Sequence, residues 1–90
     1  MTYNYGSPIV GELSGTSAMV QVPNVPYPAT VVFNSAESGR TIQLSFDFGT
    51  TWMPAVTPTL TATGQIVYAL TYPCTHVKFT GVSGDTYTIL

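Results

Sequence analysis

Residues 41–52 read Thr-Ile-Gln-Leu-Ser-Phe-Asp-Phe-Gly-Thr-Thr-Trp. In an extended chain Ile42, Leu44 and Phe46 fall on one side and Thr41, Gln43, Ser45 and Asp47 on the other, which is the period of a half-buried strand. After a tight turn at Phe48–Gly49 the pattern predicts a return strand over Thr50–Met53. Working outward, the same period recurs. Ala18–Val22 carries apolar residues at 18, 20 and 22. Thr30–Asn34 is apolar on both sides and is expected to be central. Gly64–Tyr72 places Ile66, Tyr68, Leu70 and Tyr72 on one face. Thr75–Thr80 turns Val77 and Phe79 inward against His76, Lys78 and Thr80, and Thr86–Leu90 closes the chain. No window repeats apolar residues at i, i+3, i+4 and i+7. The fold class expected is therefore all-β, a small antiparallel β-sandwich or Greek-key barrel of about seven short strands.

Prolines at 23, 26 and 28 stop the first strand, and Pro54 and Pro58 bound a looser Thr-rich connection. Residues 1–16, rich in Gly, Ser, Thr and Asn, read as a flexible or partner-ordered N-terminal arm with at most a short strand around Ile9 and Val10. Residues 17–90 read as a single β domain. Ninety residues bury only about 60–65% of the surface the unfolded chain exposes, so the core is thin. Cys74 is the only cysteine, which leaves no internal disulfide.

Six side chains carry charge: Glu12, Glu37, Arg40, Asp47, Lys78 and Asp85. A typical domain has about 25% of such residues. Fifteen threonines and six tyrosines hydrate the exterior but supply no repulsion between copies. Much of the surface is thus expected to be covered by neighbours in a homo-oligomer. Two strong cations and a net charge of −2 disfavour nucleic acid, whose affinity depends on phosphate neutralisation. The N-terminal residues lack a basic and apolar leader, and no apolar run approaches the ~20 residues of a membrane span.

Residues 45–52 fit Ser-x-Asp-x-Gly-x-Thr-Trp, with Ser45, Asp47, Gly49, Thr51 and Trp52 at its five positions. Asp47 is placed to accept backbone N–H groups of the turn, Gly49 to supply a positive φ, and Trp52 to fold back over the hairpin. These are structural roles. Cys74 and His76, two apart, would share one strand face and make half a metal site, but a second Cys or His is missing, and no metal or other cofactor is expected. Asp47 and Asp85 both lie in Gly-containing turns, where Asp bonds its own backbone, so they read as turn residues rather than a glycosidase pair. Tyr3, Tyr5, Tyr27 and Trp52 are aromatics able to stack on sugars or partner chains. Tyr3, Tyr5, Pro8 and Ile9, in the arm, are the candidate partner contacts.

The 45–52 motif resembles the Asp-box of sialidases and many other β-proteins. Sialidase chemistry does not follow, because a propeller needs more chain and its carboxylate grip several arginines, against the single Arg40. Residues 40–56 together with 73–90, containing Thr75-His76-Val77-Lys78-Phe79-Thr80-Gly81 and Gly84-Asp85-Thr86-Tyr87, resemble small β-rich virion proteins of tailed bacteriophages. The resemblance implies a non-enzymatic virion component made in the host cytoplasm, such as a capsid decoration or cement protein. It further implies the major capsid or another virion protein as partner, and a trimer as the oligomer. A carbohydrate-binding or host-adhesion module, part of a tail or head fibre, is the alternative.

Overall fold

The computed structural model describes residues 8–22, 28–35, 37, 39–62 and 64–90. Their eight strands are β1 (Ile9–Glu12), β2 (Ser17–Gln21), β3 (Ala29–Phe33), β4 (Thr41–Ser45), β5 (Leu60–Ala62), β6 (Gln65–Leu70), β7 (His76–Thr80) and β8 (Thr86–Ile89). One sheet has the order β1-β8-β3-β6-β5 and the other β2-β7-β4, with every pairing antiparallel. The chain crosses between sheets at every connection except β5–β6. The fold is a small all-β sandwich, and the described residues contain no helix.

Period two explains the interior. Val31 and Phe33 of β3, Ile66 and Leu70 of β6 and Ile89 of β8 face Val20 of β2, Ile42 and Leu44 of β4, and Val77 and Phe79 of β7, all buried in one cluster. Phe79 joins the two sheets: its ring stacks on Tyr87 at 4.5 Å and meets Phe33 edge-on at 5.2 Å. β3 lies central, as its two-sided apolar character requires.

Four expectations are corrected. Of the segment set apart as an arm, Ile9–Glu12 pairs with β8 and Leu13 is buried, because its N–H and C=O are bonded to Asp85 O and Gly84 N. Ile9, a candidate partner contact, packs against the core, while its neighbour Val10 faces solvent. The return strand over Thr50–Met53 does not form. Instead Met53 N–H and Val56 N–H reach Leu44 O and Ile42 O at 2.9 Å each, and the prolines at 54 and 58, which have no N–H, keep this run from becoming a ladder. Within the supposed Thr-rich connection, Leu60–Ala62 pairs with β6 as an edge strand.

Candidate functional site

The 45–52 turn is built around one hydroxyl. Ser45 Oγ donates to Asp47 Oδ1 (2.8 Å) and accepts the N–H of Gly49 (2.9 Å) and, more weakly, of Asp47 (3.4 Å). The same Asp47 oxygen accepts Thr51 N–H at 2.8 Å, and Thr50 N–H closes the turn on Asp47 O at 3.3 Å. Phe48 (φ 60°) and Gly49 (φ 86°) are both left-handed, the sign pattern of a type I′ turn. Thr51 N–H, followed by the Ser45 hydroxyl, holds the Asp47 carboxyl below the ordinary carboxylate range.

Ser45 alternates with Ile42 and Leu44 and so points away from the sandwich core, as its place in the pattern predicts. It is nevertheless fully buried, because the chain after it folds back over that outer face. Thr75 anchors the fold-back: its N–H and Oγ1 both donate to Ser45 O (2.9 and 3.1 Å), and its Oγ1 accepts Phe48 N–H (2.9 Å). Nothing local in the sequence marks Thr75 for this role, since it acts across 30 residues. Phe46, expected inward, lies beyond the end of β4 and is exposed; its ring stacks on the equally exposed Tyr72 at 5.8 Å and 21°. Phe48 is 74% exposed and meets His76 edge-on. Half-buried Trp52 does fold back, placing its ring 4.9 Å from Lys78 Nζ and within van der Waals reach of a Cβ built at Gly49.

The remaining candidates are dispersed. Cys74 precedes β7 and lies in the core, whereas His76 stands on the outer face, so the two do not share a strand face. Burial pushes the Cys74 thiol up to about 11, which leaves it protonated at neutral pH and a poor nucleophile. No group of three His, Cys, Asp or Glu with metal-ligand placement occurs among the described residues. Asp47 follows the end of β4 that pairs with His76, and Asp85 lies beyond Thr80 at the other end of β7. Asp85 Oδ2 accepts Arg40 Nε (2.9 Å) and Val82 N–H (3.0 Å), and these two donors hold its pKa low. A depression of about 350 Å³ between Asn34, Ser35, Glu37, Gly64 and Asp85 therefore meets a carboxylate already bonded. Tyr3, Tyr5 and Tyr27 lie outside the described residues, and Pro8 is exposed.

An apolar surface row lies on the other sheet. Its registers align Val10, Thr88, Val32, Val67 and Leu60 in one outward row across all five strands. Val10 is 69% and Leu60 59% exposed, with the three between them half-buried. Thr30, Thr86 and Ala69 flank the row, and Glu12 at one edge is the one charge among the strand positions of this face. An antiparallel sheet with one face in water ordinarily turns polar residues outward. Comparisons with family models, characterised proteins and solved structures find no match to this chain.

Proposed function

We propose that this chain is a non-enzymatic structural component of a bacteriophage virion, a decoration or cement protein seated in many copies on the shell. The observation that carries the reading is the apolar row Val10-Thr88-Val32-Val67-Leu60, a nearly uncharged sheet face suited to burial against another protein. The resemblance over residues 40–56 and 73–90 supplies the kind of partner, a major capsid or other virion protein. Val10→Lys with Leu60→Lys, at the two exposed ends of the row, tests it: full-length protein should co-sediment with undecorated particles, and the double variant, with an unchanged melting temperature, should not. Failure of the unaltered chain to co-sediment with either shell or tail overturns the reading.

A second reading, a glycan-binding or adhesion module, is favoured by one observation. Phe46 and Tyr72 present near-parallel, half-exposed rings, a surface on which the C–H faces of sugars pack. Glycan binding lost in Tyr72→Ala, with shell binding absent, would select it.

A further inference from the structure

We infer that β2 is a pairing edge for a second copy of this chain. The three-stranded sheet ends in β4 on one side and β2 on the other. The outer side of β4 is occupied by 53–56, through the bonds to Leu44 O and Ile42 O. Among the described residues, no backbone group hydrogen-bonds to the outer side of β2. Gly81 N–H donates to Thr16 O and Val22 N–H to Thr75 O, so the even-numbered residues of this strand make the bonds to β7. Ser17, Met19 and Gln21 consequently turn their N–H and C=O groups away from the sheet.

Exposed edges are ordinarily guarded by charge, proline, a bulge or very short length. Ser-Ala-Met-Val-Gln has none of these over five residues. The two edge strands of the other sheet differ: β1 carries Glu12, and β5 has only three residues. An antiparallel pair about a two-fold axis at Met19 is self-complementary. Met19 meets Met19 of the second copy, and Ser17 meets Gln21 of the second copy, with about six main-chain hydrogen bonds exchanged. No like charges oppose one another, because the strand carries none. Ala18 and Val20 then continue the inward apolar row from one copy into the next.

The unit is two-fold, where the virion resemblance implies three. It shares with the virion reading only the expectation of a homo-oligomer and requires no shell, so the purified full chain tests it alone. Sedimentation equilibrium should give a monomer–dimer system, and the amides of Ser17, Met19 and Gln21 should gain exchange protection as concentration rises. Ser17→Lys with Gln21→Lys sets lysine against lysine across the axis and should raise the dissociation constant at least about tenfold. Ser17→Glu with Gln21→Lys sets opposite charges there and should restore the original value or tighten it. Both positions are exposed, so unchanged melting at low concentration confirms that the fold survives. A monomer at the highest soluble concentration, a trimer, equal protection of the three amides in the monomer, or a dimer indifferent to the lysine pair each overturns the proposal. Loss of shell binding with the dimer intact removes the virion reading and leaves this one standing.

Discussion

Ser45 shows how a single hydroxyl can organise a turn. It is buried under its own loop, and deleting the oxygen leaves Gly49 N–H without its acceptor and Asp47 without its donor. Ser45→Ala should therefore lower unfolding free energy by about 1–3 kcal/mol, measured by urea denaturation. Phe48 illustrates the opposite situation, a bulky residue held left-handed with its ring in water. A left-handed conformation costs an L-residue roughly 1–2 kcal/mol, and Asn-Gly is the preferred pair at these turn positions. Phe48→Asn should accordingly raise stability by about 1 kcal/mol, with a higher urea midpoint. Gly81 is constrained by space: a Cβ there would fall against Asp85 Oδ2 and 2.9 Å from Phe33 Cζ, displacing the partner of Arg40.

At the scale of elements, the informative case is β1. Four residues of mixed character, Ile-Val-Gly-Glu, carry little strand signal by themselves, but β8 offers them a complete register from Ile9↔Ile89 to Glu12↔Thr86. Gly11 has a specific reason to be small, since the Tyr87 ring lies where its Cβ would project. Leu13 then anchors the segment in the core. Leu13→Ala should cost about 2–5 kcal/mol in thermal or urea unfolding, the range for an emptied core leucine. A chain lacking residues 1–16 should lose at least as much, so weakened attachment in that truncation would report a damaged sandwich as well as a missing contact. The run 53–56 makes the complementary point: its two bonds cover the β4 edge without forming a strand, and among the described residues this leaves β2 as the side of its sheet with no further backbone partner.

For the whole molecule, charge is sparse and its placement decides the response to acid. The Asp47 and Asp85 carboxyls both titrate below the ordinary 3.8 in the folded chain, held by Thr51 N–H and by Arg40 respectively. A depressed folded value means that the contribution is complete above the unfolded pKa and disappears as pH falls through the folded one. Urea midpoints should thus be flat near neutrality and fall from about pH 5 to pH 2, with a shallower fall in Asp85→Asn. The Arg40–Asp85 pair spans 45 residues, tying the approach to β4 to the turn before β8. Period-two alternation in the sequence determined the all-β class and the inward rows of β4, β6 and β7, because each side chain's face in a strand follows from its neighbours alone, and the two-sided apolar run of β3 marked its central place. The bonds from Ser45 and Asp47 within the 45–52 turn are local, but the return strand expected over Thr50–Met53 depends on partners the motif does not specify and does not form. Tertiary structure alone decided the rest. Burial of Ser45 depends on Thr75, the inclusion of Ile9–Leu13 depends on β8, and the outward row from Val10 to Leu60 exists only because five separate strands align. Register between distant strands is set by how their buried sides pack, and no local pattern carries that information.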